Sequence, residues 1–517
     1  MLEPLDLTGV LARPGSGHAE RPALVDRHAR YSFRELEREA NRAAHALRGL
    51  GVKTGDRVAL SLPNGADLAV ALLGAWKLGA IWVGVHRVLA PPEKAHQLDD
   101  SGSRVLLADP ETAGQVGRDA GRLGQLEHIV EVDPGDPDSE WAARLQAAEP
   151  SPPEVEIDPF APAAIAYTSG TTGLPKGAVH SQHNGLLPGA VSVRRGTIGA
   201  DETIGNMLPM TIFNLNVLGV LTSIQAGCKY VVMDTRDAPG IAGWIRRERV
   251  AYFTSVPAVI HDLLTHPEVD PEDLKSLTQP RVGGSNSPEW FRRLFRERFG
   301  KDLSTSYALT EGPTLVTRED AGEERVPGSC GRALPHIEVT IRDPEDAELP
   351  AGETGEICIG PRRDGPWKGV YRTVLGYWRQ PERSAEALRG GRFHTGDLGR
   401  MDAEERVFVV ERRSELIIRG GSNIYPSEIE RVLRQDERVA DCAVVGRPDE
   451  RLGETVVAFV EPAAGNPPPA SELLARCREN LARYKWPEEV LFVDTFERGA
   501  MGKIDRAALR RRVVEAA

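Results

Sequence analysis

At 517 residues the chain is too long for one compact core, so two or more domains are expected. Its 40% hydrophobic and 27% charged residues describe an ordinary globular protein, and its net charge of −12 argues against a nucleic-acid partner. A nucleotide stays possible, because a phosphate needs only a local positive site. Five scattered cysteines (Cys228, Cys330, Cys358, Cys442, Cys477) form no C-x-x-C spacing. They suit a reducing cytosol and give neither a disulfide framework nor a metal-ligand set.

The N-terminus lacks a basic start followed by an apolar run, so no signal peptide is expected and the chain reads as cytoplasmic. Ser32-Phe33-Arg34-Glu35 has the form of a capping box, and Leu36, Ala40, Ala43, Ala44 and Leu47 follow at helical spacing. Val58–Leu62 reads as a strand, Ala66–Gly84 as one long apolar helix, and Arg104–Ala108 and Ile129–Val132 as further strands. This alternation points to a parallel sheet covered by helices. Glu149–Pro162, rich in proline and acid, reads as a surface connection to the apolar run Ala163–Ala166.

That run leads into Tyr167-Thr168-Ser169-Gly170-Thr171-Thr172-Gly173-Leu174-Pro175-Lys176-Gly177. Glycines let successive N–H groups turn inward to hold an anion, hydroxyls add donors, and Lys176 adds charge. It is not a Walker loop, because no Gly-Lys-Ser/Thr ends it. Thr203 to Cys228 carries no charge, but Asn206, Pro209, Asn214, Asn216 and Gly219 interrupt it, so it reads as a buried strand–loop–helix and not a membrane span. Strands are expected at Lys229–Met233 and Ala251–Ser255. From Arg325 to Arg400 short alternating runs such as Glu338–Ile341 and Glu356–Ile359 fit a small β-barrel or β-rich subdomain. The charged segment Glu411–Glu415 reads as a hinge. Beyond it comes a smaller unit: a helix from about Glu428, strands at Ala443–Val445 and Val456–Val460, a helix near Ser471–Ala482 and a strand at Val490–Val493.

The Tyr167–Gly177 loop resembles the signature of the adenylate-forming superfamily, which includes acyl-CoA synthetases and peptide-synthetase adenylation domains. Further segments resemble the family in the same order: Ser306-Tyr307-Ala308-Leu309-Thr310-Glu311-Gly312, Phe393-His394-Thr395-Gly396-Asp397, Arg412, Gly420-Gly421-Ser422-Asn423-Ile424-Tyr425-Pro426, Leu481–Pro487, and Ala500–Arg506 with Lys503. The resemblance implies two doubly wound αβ subdomains to about residue 324, a small β-barrel at about 325–410 within a large domain 1–412, and a mobile α+β domain 413–517. It implies ATP, Mg²⁺ and probable CoA as ligands. Thr168, Ser169, Gly170, Thr171, Thr172, Gly173 and Lys176 would grip phosphate, with Thr310. Tyr307 would lie along adenine, with Ser306, Gly284 and Ser285 also in the nucleotide site; Asp397 would hold ribose and Arg412 ribose or phosphate; Glu311 would hold the metal. Lys503 would be the adenylation lysine, and Gly420 and Gly421 would line a thiol tunnel. Two places depart from the pattern: Ala308 stands for a usual glycine, and Ser414 replaces the usual Asp or Lys at the pivot.

The implied reaction is activation of a carboxylic acid as acyl-adenylate, then transfer to a thiol, most often CoA. The acid is expected against Phe213 and Asn214 and against Gly283 and Gly284. Here Met210–Asn216 and Gly283–Ser287 are more polar than in related synthetases. That points to a substrate with polar groups of its own, such as a substituted aromatic or hydroxy acid; the amides could equally satisfy backbone groups. Three alternatives stand beside an acid–CoA ligase: transfer to a carrier protein or amine, activation of an oxyacid such as nitrite, and a non-catalytic nucleotide-binding relative. Monomer and homodimer are both open.

Overall fold

In the computed structural model the described residues are 3–8, 18–118, 120–168, 174–283, 289–313, 315–320, 325–412, 416–463, 467–497 and 504–515. Among them the large domain is built on two seven-stranded sheets. One runs in the spatial order Ser304–Thr305, Gln279–Val282, Tyr252–Ser255, Thr203–Asn206, Lys229–Val232, Pro22–Val25, Arg30–Ser32. It is parallel except for its last pair. The other runs Gly376–Tyr377, Lys176–Ser181, Pro162–Thr168, Ile81–Gly84, Arg57–Ser61, Val105–Ala108, His128–Glu131. Its first two pairings are antiparallel and the rest parallel. Parallel sheets need cover on both faces. Helices such as Phe33–Gly49 and Ala66–Lys77 supply it, and their buried alanines and leucines fill the core beside Trp76 and Trp82.

The capping box at Ser32 is formed in both directions: the hydroxyl accepts from Glu35 N, and Glu35 accepts from Ser32 N. The single helix expected over Ala66–Gly84 is instead a helix, Ala66–Lys77, and a strand, Ile81–Gly84. Gly79 at φ +69° ends the helix, and the branched and aromatic run that follows pairs with Arg57–Ser61. Both pieces are apolar because both are buried, so their hydropathy hides the boundary. Thr203–Cys228 folds as a strand, a loop and short helical segments. No helix among the described residues is long and apolar enough to cross a membrane.

The β-rich part is a four-stranded antiparallel sheet: Ile337–Arg342, Gly355–Pro361, Phe393–Met401, Val407–Arg412. An Arg332–Arg406 bridge joins it to the ribbon Thr317–Arg318 with Arg332–Ala333. The strand Val407–Arg412 leads to residues 413–415, so the expected pivot at Ser414 lies outside the described residues. The small domain has a five-stranded sheet of Ser422–Ile424, Ile417–Arg419, Gly453–Pro462, Val439–Asp449 and Glu489–Phe492. Helices Pro426–Leu433 and Ala470–Asn480 cover it around Ile429, Val432 and Leu473.

Candidate active site

Three pieces of the large domain meet where the two sheets end. Strand Pro162–Thr168 and strand Lys176–Ser181 form a hairpin in which Thr168 lies opposite Lys176. The hairpin thus presents a hydroxyl and an ammonium side by side. Thr168 Oγ1 is buried and has no hydrogen-bond partner among the described residues. A buried orphan hydroxyl is costly unless something absent from the chain itself satisfies it. Ser169, Gly170, Thr171, Thr172 and Gly173 lie outside the described residues.

Lys176 Nζ donates to the Tyr377 hydroxyl at 2.6 Å and lies 3.4 Å from Glu311 Oε1. Tyr377 in turn donates to Glu311 Oε1 at 2.9 Å. Burial, then Glu311, then the small domain's Tyr425 push the Tyr377 phenol well up, so it remains a donor. Lys176 and Glu311 are therefore joined through one phenol. Tyr377 reaches this place because Gly376–Tyr377 is the edge strand beside Lys176–Ser181.

The segment 306–313 follows the strand Ser304–Thr305 of the other sheet. His180 Nε2 is 2.9 Å from the Thr310 carbonyl, and the Tyr371 hydroxyl donates to the Gly312 carbonyl at 3.1 Å. Burial pulls the His180 imidazole down to about 3, so the ring is neutral and its Nε2–H donates to that carbonyl. Glu311 is buried and Thr310 half-buried. Tyr307 donates its hydroxyl to Asp397 Oδ2 at 2.7 Å, which unites two motifs 90 residues apart. Asp397 pairs across the sheet with Arg412, whose side chain lies outside the description. A Cβ on Gly283 would come no nearer than 3.9 Å to Ser306 Oγ, so these two also adjoin. Gly284, Ser285 and Lys503 lie outside the described residues.

The Thr395-Gly396-Asp397 stretch of the strand Phe393–Met401 is braced by the neighbouring strand Gly355–Pro361. Glu356 Oε1 accepts from Gly396 N at 2.9 Å, and Thr395 Oγ1 donates to the Ile357 carbonyl at 2.7 Å. Glu356, Cys358 and His394 cluster there. His394 Nδ1 lies 3.1 Å from Glu356 and 3.3 Å from Cys358 Sγ, and burial pushes that thiol up to about 12. The cluster holds the irregular part of the strand that presents Asp397.

The acid-site expectations divide. Phe213 is 1% exposed. Its ring stacks on His180 at 5.3 Å and packs on Trp82 and Trp76. The ring thus packs among core aromatics and supports His180. Asn214 is half-buried, and its Oδ1 has no partner among the described residues.

The small domain rests on the large one close by. Gly421, at φ +83°, sits against Val256, which follows the strand Tyr252–Ser255; an added Cβ would lie 2.4 Å from Val256 Cγ1. Gly420, at φ +58°, donates its N–H to the Leu452 carbonyl at 2.7 Å. Arg451 pairs with Asp262 at 2.8 Å. Lys485, 5% exposed, lies 2.5 Å from Glu93 of the large domain and 3.0 Å from Glu428. Ala482 N donates to Glu93 at 2.8 Å. Tyr377, His180, Tyr371 and this interdomain trio were not singled out in the sequence. Tyr377 is 201 positions from Lys176, and only the pairing of an edge strand reveals it.

The fold and site define an adenylate-forming enzyme. The AMP-binding enzyme family matches residues 11–371, and the AMP-binding enzyme C-terminal domain matches residues 428–503. The chain belongs to this family and is an AMP-forming ligase. It is 34% identical over 491 residues to the long-chain-fatty-acid–CoA ligase FadD13 of Mycobacterium tuberculosis, with 93% of each chain covered. It is also 34% identical over 486 residues to a feruloyl-CoA synthase of Amycolatopsis sp, covering 93% of this chain and 94% of the relative. Among solved structures it is similar to the amide bond synthetase McbA from Marinactinospora thermotolerans (TM-score 0.85, 27% identity, 98% and 99% coverage). The o-succinylbenzoate CoA synthetase MenE from Bacillus subtilis is a comparable likeness (TM-score 0.82, 28% identity, 95% of each chain).

Proposed function

We propose that this chain activates a carboxylic acid with ATP, releases pyrophosphate, and passes the acyl group to the thiol of CoA. The observation that carries this reading is the convergence of Thr168, Lys176 and Glu311 through Tyr377, next to the Tyr307–Asp397 pair. In the first step the carboxylate of the acid attacks the α-phosphate of ATP; the new C–O–P bond forms as pyrophosphate leaves. Negative charge meets negative charge, so catalysis is mostly positioning and opposing charge. Lys176 and the Thr168 hydroxyl lie where a polyphosphate would be gripped. Tyr307 and Asp397 would orient the nucleoside, the carboxylate accepting from ribose hydroxyls.

Glu311 is a single buried carboxylate with a lysine and a phenol on one oxygen. That suits Mg²⁺, which keeps waters and takes most of its other ligands from phosphate. When bound, the ion would offset charge on the phosphates. Lys503 supplies the remaining charge for adenylation and is dispensable for thioester formation. The contact of Gly421 with Val256 supports Gly420 and Gly421 as the thiol's approach, reached when the small domain turns about Glu411–Glu415. The orphan Asn214 amide supports an acid with polar groups of its own.

A second acceptor is favoured by specific likenesses: one relative is a fatty acid–[acyl-carrier-protein] ligase, 33% identical over 516 residues, and McbA is an amide bond synthetase. The deciding experiment is acid-dependent ATP–pyrophosphate exchange over a panel that includes nitrite, followed by thioester formation with CoA. Exchange without CoA-thioester formation moves the assignment to a carrier protein or amine. Lys503→Ala is expected to stop exchange and to spare thioester formation from supplied acyl-adenylate; loss of both half-reactions in a folded protein refutes that role.

A further inference from the structure

The strands Tyr252–Ser255 and Gln279–Val282 pair in parallel, with Tyr252 opposite Gln279 and Thr254 opposite Arg281. Side chains alternate along a strand, so these four share one face of the sheet. Phe253 and Val282 point the other way, into the core with the helices behind. The shared face borders a cavity whose walls include Val191, Leu218 and Leu315 on the apolar side and Thr254, Arg281 and Arg318 on the polar side. Arg281 precedes Gly283 by two residues on the same face. Leu218 lies on the helical segments that follow Asn214. The cavity therefore continues the walls that the proposed acid site uses.

Its charge is unbalanced. Arg195 also lines the cavity, and it and Arg318 share one carboxylate, Asp320, at 3.1 and 2.7 Å. Arg281 has no carboxylate at ion-pair distance among the described residues. Its Nη2 donates to Gln279 Oε1 at 2.8 Å, and its guanidinium lies 5.7 Å from the Tyr252 ring. Asp320, already paired with Arg195 and Arg318, is the carboxylate whose field reaches Arg281, and Glu202 lies 3.4 Å from the Tyr252 hydroxyl. Burial, then the Arg318 charge, lower Arg281 to about 10, so it remains a cation at neutral pH. A half-buried guanidinium facing a second arginine, with most of its five donors unused, is placed to bind an anion.

We infer that this cavity receives the far end of the acid and that this end carries a second carboxylate, which pairs with Arg281. The substrate class is a dicarboxylic acid whose apolar linker lies against Val191, Leu218 and Leu315. This rests on the proposed acid activation. The test uses the whole chain in ATP–pyrophosphate exchange with matched sets: α,ω-dicarboxylic acids of increasing length, terephthalate, their monomethyl esters, the corresponding mono-acids and hydroxy acids. The expected result is a diacid preferred over its own monomethyl ester by about tenfold or more in kcat/KM. That preference should collapse in Arg281→Met and be partly kept in Arg281→Lys. A diacid no better than its half-ester in the wild-type protein overturns the inference without any variant, and so does a hydroxy acid that outruns the diacid. Exchange with mono-acids alone overturns this inference and leaves acid activation standing; exchange with no acid at all removes both.

Discussion

Two lysines of this chain sit beside carboxylates and a tyrosine, and they are differently filled. Lys485 is 5% exposed, with Glu93 and Glu428 at 9% and 3%. Its two partners and the Tyr484 phenol hold it charged against the penalty of burial, and Ala482 N adds to Glu93. Lys176 is 22% exposed; it has one carboxylate, at 3.4 Å, shared with a phenol, and its hairpin partner Thr168 has an orphan hydroxyl. An ammonium has three donors. The first cluster sets two carboxylates, one from each domain, against a nearly buried ammonium; the second has one, among the described residues, against a more exposed ammonium beside an unsatisfied hydroxyl. Residue type does not separate the two clusters, whereas burial and the number of carboxylates facing the ammonium do.

The largest test of that contrast is Lys485→Met. It leaves Glu93 and Glu428 buried and facing each other, and the expected loss is about 3–5 kcal/mol in denaturant unfolding of the intact chain. Unchanged stability would mean that these two ion pairs do not hold the domains together. Glu311→Gln should do the reverse. Exchange should fall by about a hundredfold with a higher Mg²⁺ requirement, while the unfolding midpoint stays near that of the wild type. A stability loss as large as that of Lys485→Met would put Glu311 in the structural class. Tyr377→Phe removes only the bridge between Lys176 and Glu311 and should lower exchange roughly tenfold, as a rise in the KM for ATP.

The smallest effect is an acid response. Burial draws His180 and His336 to about 3 and His86 to about 4, from an ordinary 6.5. Between those values the unfolded chain binds protons that the folded one does not, so stability rises with pH there and is flat above 6.5. The thermal midpoint should fall as the solution is acidified from 6.5, and His180→Gln should flatten part of that slope. A slope unchanged in that variant would show that His180 is already charged in the fold.

Local signals carried much of the architecture. Ser32 and Glu35 announce their cap because both bonds span three residues. Thr168 and Lys176 stand at the mouth of a hairpin whose strands are written in apolar runs. Asp397, Tyr307 and Glu311 stand out through the resemblance, and the structure adds the bond between Tyr307 and Asp397 and a separate one from Tyr377 to Glu311. What stayed hidden depends on distant pairing. Tyr377 and His180 act across 66 and 130 positions, and no window of sequence shows that. Phe213 is expected at the acid through the resemblance alone, and its packing on Trp76, Trp82 and His180 comes from segments far off in the sequence. The helix–strand break after Lys77 was lost because full burial erases periodicity on both sides of it.

Gly421 beside Val256 has a mechanical meaning as well. A single methyl there would fall 2.4 Å from Val256 Cγ1. The seam between the two parts of the chain is thus as thin as two backbones and a valine allow, and its clearance is set by an atom that is missing. Any bulk added at that point would act as a shim between the small domain and the residue that follows the strand Tyr252–Ser255.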